Sequence, residues 1–244
     1  MKFISRIALK ENVDKKNYPF NIPVLENFQE LAIKSPVTFF VGENGSGKST
    51  LIEAIAIASG LNAEGGSQNF NFKTNDSHSQ LYKGLIVSKT GNRPVTKYFL
   101  RAESFYNVAS EIERSVKEDG NYAVLASHGG KSLHSCSHGE AFLALVENRF
   151  YNNGLYILDE PEAALSPLKQ MRLLVLIDEL VKNGSQFIIA THSPILLSYP
   201  NAIINDFDNN MSEINYEDTE HYRLYKLFID NPKMMVERLL NDEV

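Results

Sequence analysis

The stretch "GENGSGKST", residues 42–50, constrains this chain more than any other. It fits the pattern G-x-x-x-x-G-K-[ST] at every fixed position: Gly42, Gly47, Lys48 and Ser49 fill the required places, with Glu43, Asn44, Gly45 and Ser46 between them and Thr50 after. The apolar run "VTFFV" precedes it and "STLIEAIAIAS" follows, so the loop joins a strand to a helix. Glycines let the backbone curl until successive N–H groups point inward. The helix that starts there adds free amides and its dipole, and the product is a cradle for phosphate oxygens. In such a cradle Lys48 supplies a point charge to β- and γ-phosphates, and the Ser49 hydroxyl is placed to ligate Mg²⁺.

The rest of the chain reads as an α/β fold. Strand-like runs rich in β-branched and aromatic residues fall at 3–9, 36–41, 84–89, 95–101, 154–158, 186–191 and 202–205. Helical patterns lie near 48–59, 104–118, 138–151, 167–183 and 219–240. The runs at 154–158 and 186–191 are short and continuously apolar, as parallel strands covered on both faces should be. Strand–helix–strand order through the second half predicts a mostly parallel sheet with right-handed crossovers. The polar, glycine-dotted stretches 62–80 and 120–137 read as surface loops. With 244 residues the chain can bury one good core and carry a helical subdomain beside it. The C-terminal part is amphipathic and broken at Pro232, which predicts a helical tail over 206–244 that packs on the core or meets a partner.

Two further strand ends carry chemistry. "LYILDEPEAALSP" puts Asp159 and Glu160 at the C-terminal end of a buried strand, the edge where open α/β sheets bind ligands. Asp159 suits a Mg²⁺ shell, and Glu160 can polarise a water in line with a γ-phosphate. "QFIIATHSPILL" ends a second such strand in Thr191, His192 and Ser193, so His192 projects toward the same edge, where it can contact the γ-phosphate or hold the attacking water.

A phosphate sensor should be the exposed N-terminus of a helix. Two segments offer "SH-G": "SHGGK" at 127–131 and "SHGE" at 137–140. Only the second leads straight into a helical pattern, so Ser137 and Gly139 are the candidates, with Ser137 also able to act as an ordinary N-cap. His128, His134, Cys136 and His138 suggest zinc, but their spacing matches no paired chelating pattern.

Together these pieces resemble the ATP-binding cassette (ABC) ATPase superfamily, and its soluble branch with SMC-type and RecF-type members most. The order matches: Walker A at 42–50, a signature-like "SHGE" at 137–140, Walker B "LYILDE" at 155–160, a D-loop-like "AALSP" at 163–167 and a switch His192. The resemblance implies a P-loop NTPase of ABC type, a single domain over 1–244 with a helical signature subdomain across roughly 104–150. It implies ATP and Mg²⁺ sandwiched in a head-to-tail homodimer that closes on ATP and opens on hydrolysis. By the same resemblance Lys48 and Ser49 are the Walker A residues, Asp159 the Mg²⁺-side aspartate, Glu160 the catalytic glutamate, His192 the switch, and Ser137 with Gly139 the signature. An adenine-stacking aromatic is expected ahead of the loop, Tyr18 or alternatively Phe20. Three departures stand out: His138 and Glu140 within the signature, Ser166 where an aspartate is usual, and no glutamine after "TKYFLR", where Glu103 is the nearest substitute.

Composition bounds what such an ATPase acts on. The net charge of −6 gives no general basic footprint for nucleic acid, and a lone Cys136 excludes an internal disulfide. No apolar run reaches the roughly 18–20 residues of a membrane helix, and the start lacks the apolar core of a secretory signal. The expectation is a cytoplasmic ATPase coupled to DNA or to an effector protein. The alternatives are the ATP-binding subunit of a membrane transporter and a slow nucleotide-gated switch.

Overall fold

A computed structural model describes residues 2–63, 65–67, 79–103 and 137–241. The expected helix at 104–118, most of the 62–80 loop and the 120–137 loop, and with them His128, His134 and Cys136, lie outside the described residues; of the expected 104–150 subdomain only its last helix lies within them.

The chain runs β1 (Ile4–Leu9), α1 (Pro23–Glu26), β2 (Glu30–Ala32), β3 (Val37–Val41), α2 (Lys48–Ala58), β4 (Gly66–Ser67), α3 (Leu81–Gly84), β5 (Leu85–Lys89) and β6 (Thr96–Arg101). After the undescribed stretch come α4 (His138–Arg149), β7 (Gly154–Asp159), a 3₁₀ turn (Pro161–Ala164), α5 (Pro167–Lys182), β8 (Gln186–Ala190), α6 (Pro194–Leu197), β9 (Ile203–Asp206) and β10 (Ser212–Ile214). A short 3₁₀ turn, Tyr216–Asp218, leads into α7 (Glu220–Asp230) and α8 (Pro232–Leu240). The tail is therefore not helical from 206 onward: β9 turns back into β10, which pairs antiparallel with it, and the helices start only at Glu220. The polar alternation of "SEI" was too short to separate from loop.

Among the described residues, seven strands form the main sheet in the order β10-β9-β3-β8-β7-β6-β4. The five from β9 to β6 are parallel, and the two edges, β10 and β4, are antiparallel. A second sheet, β2-β1-β5, is antiparallel. The main sheet is buried on both faces, and strand periodicity sorts its residues between two cores. Phe39, Tyr156, Leu158, Phe187 and Ile189 face one side, packed by α4 and α5 through Phe142, Leu145, Leu173 and Ile177. Phe40, Leu155, Ile157, Ile188 and Phe99 face the other, covered by α2 through Leu51, Ile52 and Ile55 and by the small sheet through Ile4 and Ile7. This is a doubly covered α/β sandwich, with α2 and the small sheet on one face and α4 to α6 on the other.

One buried polar side chain locks the small sheet to the large one. Gln186, fully buried at the start of β8, accepts from the amides of Phe3 and Ile4 with Oε1 (2.6 and 2.9 Å) and donates to Ile4 O with Nε2 (2.9 Å). A leucine there keeps the volume but strands three backbone groups, each costing about 1–3 kcal/mol when buried without a partner. We expect Gln186→Leu to lower the midpoint of chemical unfolding markedly, whereas a fluorescence or circular dichroism melt indistinguishable from wild type would show that the sheets are held by apolar packing alone.

Candidate nucleotide site

The site is built along one edge of the main sheet. Register places Arg101 of β6 opposite Asp159 of β7, Asp159 opposite Ala190 of β8, and Ala190 opposite Phe40 of β3. The chain therefore leaves all four strands at one level and in one direction, which collects the loops after β3, β6, β7 and β8 at a single edge.

After β3 comes the glycine loop. Gly47, at φ 98°, is the left-handed N-cap of α2, so its backbone favours glycine, and a Cβ there would lie 2.8 Å from Ile22 Cδ1 and push that side chain aside. Lys48 is buried and folds back over the loop, its Nζ donating to Gly42 O (2.7 Å) and Glu43 O (2.8 Å) and lying 3.4 Å from Ser46 Oγ. Burial holds the ammonium below its usual range, against the raising influence of Glu160, Asp208 and Asp159. Asp208, beyond β9, accepts from the Glu43 amide at 2.7 Å and braces the loop from outside. Asn44 and Gly45 sit at the loop's exposed crest, and Thr50 continues the first turn of α2.

Strand alternation turns Asp159 to the α2 face, where Ser49 Oγ donates to Asp159 Oδ1 at 3.1 Å. The other carboxylate oxygen is taken by an arginine that sequence reasoning passed over. Arg101 Nε donates to Asp159 Oδ2 (3.0 Å) and its Nη1 to Glu53 Oε2 of α2 (3.2 Å). Burial works against the guanidinium's charge, but Asp159 and Glu53 outweigh it and hold Arg101 above its ordinary value. The signal was present in the sequence, since Arg101 ends a strand and Glu53 lies four residues past Ser49. Neither belongs to a recognised motif, and only the sheet register joins them. Glu103, the expected glutamine substitute, is exposed two residues on.

Glu160 follows in a left-handed conformation (φ 49°, ψ 52°), rare for a residue with a side chain, and its amide donates to Ala190 O at 2.9 Å. Burial first, and then the Asp159 charge, raise its carboxyl above the usual range. His192 Nε2 lies 3.5 Å from Glu160 Oε1. The His192 backbone is fixed by Glu162, whose Oε1 accepts from His192 N at 2.5 Å. Ser193 caps α6 by accepting from Leu196 N and donates to Gln170 Oε1 at 2.6 Å. Thus the second glutamate of "DEPE", not assigned from sequence, ties the β7 turn to the β8 turn.

The aromatic candidates differ in setting. The segment before α1 runs beside the loop, since Ile22 lies against Gly47. Phe20 is packed into the wall near Gly84, while Tyr18 is 66% exposed. Ser137 N-caps α4, with Glu140 Oε2 accepting from Ser137 N (2.9 Å) and Ser137 Oγ (2.8 Å) and Lys169 Nζ donating to the same hydroxyl (3.0 Å). The Ser137 bonds and the Lys169 charge hold Glu140 below its ordinary range. Gly139 is pressed against the following 3₁₀ turn, where a Cβ would lie 2.8 Å from Ala164 O. His138 is exposed at this tip. In this arrangement the helix N-terminus is filled by its own glutamate, so an incoming phosphate must compete with Glu140.

The residues suit a Mg²⁺–phosphate ligand. A hydroxyl and a carboxylate 3.1 Å apart supply two hard oxygen donors, and Mg²⁺ normally takes one or two protein ligands and fills its octahedron with phosphate oxygens and water. The Lys48 ammonium lies near enough to sense the Glu160 and Asp159 charges.

A central parallel sheet, a glycine loop on a helix N-terminus and acidic groups at the next strand ends define a P-loop α/β nucleotide-binding domain. Residues 20–152, more than half of the chain, match a family model described as "AAA domain", and residues 133–198 match one described as "AAA domain, putative AbiEii toxin, Type IV TA system". The chain belongs to the AAA-domain family of P-loop ATPases. It is 29% identical to a "Putative ABC transporter ATP-binding protein" of Bacillus cereus over 72% of this chain and 33% of that protein. It is 28% identical to the "Cobalt import ATP-binding protein CbiO" of Salmonella typhimurium over 70% of this chain and 67% of that one. The chain thus spans about a third of the length of the Bacillus relative. Among solved structures, the SMC head domain from Thermotoga maritima aligns with a TM-score of 0.45 at 20% identity, covering 84% of this chain and 94% of that one.

Proposed function

We propose that this chain hydrolyses ATP to ADP and phosphate with Mg²⁺, in a head-to-tail dimer of two copies. The observation that carries the reading is the convergence of Lys48, the Ser49–Asp159 pair and the Glu160–His192 pair on one sheet edge. Lys48 and the loop amides bind the β- and γ-phosphates and offset their charge. Ser49 and Asp159 hold the Mg²⁺, which supplies charge neutralisation on the phosphates. Glu160 orients a water and takes its proton as the water oxygen bonds to the γ-phosphorus and the bridging oxygen leaves with ADP. His192 steadies that water and the γ-phosphate from the neighbouring strand end. Ser137 and Gly139 of the partner subunit close the site from the far side, and Tyr18 offers its exposed ring to the adenine.

The dimer is tested by light scattering. Glu160→Gln with saturating Mg-ATP should run as a dimer, and adding Ser137→Arg should return it to monomer; a Glu160→Gln protein that stays monomeric rules out the sandwich. The raised Glu160 carboxyl gives a second expectation. The base must be ionised to work, so kcat should fall with decreasing pH through a midpoint above the ordinary glutamate value of about 4.3. An acid limb at or below that value would remove Glu160 as the base.

The coupled process is a DNA-related or effector-linked one in this reading, with the cytoplasm as its compartment. The transporter alternative rests on the names of the relatives, which include a cobalt import ATP-binding protein. ATPase rates with duplex DNA and with detergent-solubilised membranes separate the two: stimulation by DNA supports the first, membrane co-fractionation the second.

A further inference from the structure

His192 is not held by its own loop alone. Its Nδ1 lies 2.7 Å from Nε2 of His221, in the first turn of α7, and the rings meet edge to face at 4.8 Å and 60°. His221 is itself firmly placed. Thr219, fully buried, caps α7 by accepting from Tyr222 N and donates to Tyr216 O at 2.7 Å, and the Tyr216 and Tyr222 rings pack at 4.7 Å. We infer that His221 is a positioning residue for ATP hydrolysis, donating from Nε2 to His192 Nδ1 so that His192 presents an Nε2–H to Glu160 and the γ-phosphate.

The direction of that hydrogen bond follows from the far end of the pair. Two neutral imidazoles share one proton across the 2.7 Å contact, and burial disfavours the charged form of both. If His192 donated, its Nε2 would turn a bare lone pair toward the Glu160 carboxylate 3.5 Å away. If His221 donates, His192 Nε2 carries the hydrogen and faces that carboxylate favourably. His192 Nε2 and His221 Nδ1 are both buried without a hydrogen-bond partner, so the 3.5 Å approach of His192 to Glu160 is electrostatic and its Nε2 is left to donate to an incoming oxygen; His221 Nδ1 does not discriminate. Only the second arrangement gives His192 the donor that a phosphate oxygen needs. The consequence is that the C-terminal helical hairpin is wired to the reacting edge through one side chain.

This inference rests on the ATPase reading, and its test separates the two. Wild-type, His221→Phe and His221→Gln proteins are compared for phosphate release from Mg-ATP, for ATP affinity and for thermal melting. Phenylalanine fills the space without a donor, whereas the glutamine amide can donate from nearly the same place. His221→Phe should lower kcat at least tenfold with KM and melting temperature little changed, and His221→Gln should recover most of the rate. Equal rates in all three, or a glutamine variant no better than phenylalanine, would overturn the role. Long-range proton–nitrogen-15 spectra of the nucleotide-free protein should show His192 protonated on Nε2, and protonation on Nδ1 would overturn it independently of turnover. A wild-type protein that releases no phosphate would instead refute the ATPase reading, leaving the spectra to judge the pair.

Discussion

Replacing Glu160 with glutamine should lower kcat for ATP by about 10²–10⁴-fold, the usual worth of a positioned general base, while ATP binding stays within a few-fold of wild type. The amide keeps the shape of the side chain and its place 3.5 Å from His192 but cannot take a proton from water. In the proposed mechanism nucleotide affinity resides elsewhere, in Lys48 and the glycine loop it folds back over. Stability should not suffer either. The carboxyl is raised by burial and by Asp159, so its ionised form is disfavoured in the fold, and a neutral amide removes that penalty. The melting temperature near neutral pH should be unchanged or higher. A variant that loses ATP binding along with turnover would mean that Glu160 acts through the loop rather than on water.

Arg101→Met should lower stability strongly. The Arg101 side chain, 22% exposed, bridges Asp159 and Glu53, whose side chains are 4% and 10% exposed. Methionine replaces most of the aliphatic stem but leaves two buried carboxylates facing one another across the gap. Removing one partner of a buried ionic group costs about 3–5 kcal/mol. In a chain of this size each kcal/mol moves the melting temperature by about 2–4 °C, so the drop should be readily visible in a nucleotide-free melt. Arg101→Lys should recover only part of it, because a single ammonium cannot serve two separate carboxylates with the fork of an arginine. A methionine variant as stable as wild type would show that Asp159 and Glu53 are solvated despite their burial.

Strands β1, β3, β5, β6, β7, β8 and β9 were legible because each carries a run of β-branched and aromatic residues, and α2, α5 and the α7–α8 pair because their apolar spacing is helical and Pro232 marks the break. The short elements β2, β4 and β10 have two or three residues each and no period to read; pairing with a neighbour, not local sequence, makes them strands. The same distinction holds at the site. Lys48, Ser49, Asp159, Glu160 and His192 stand inside motifs whose spacing announces them. Arg101, Glu53, Glu162 and His221 become visible only when register and packing bring distant segments together, β6 to β7, the β7 turn to the β8 turn, and α7 to His192. Glu140 was read as a departure within the signature, and the geometry gives it a job, closing on Ser137 and occupying the helix N-terminus.

Phosphate release from Mg-ATP, followed at steady state for the wild type beside Lys48→Ala, tests the central claim most directly. The account predicts saturable release by the wild type that Lys48→Ala abolishes. No release by a folded wild type, or release that the alanine leaves intact, would contradict it.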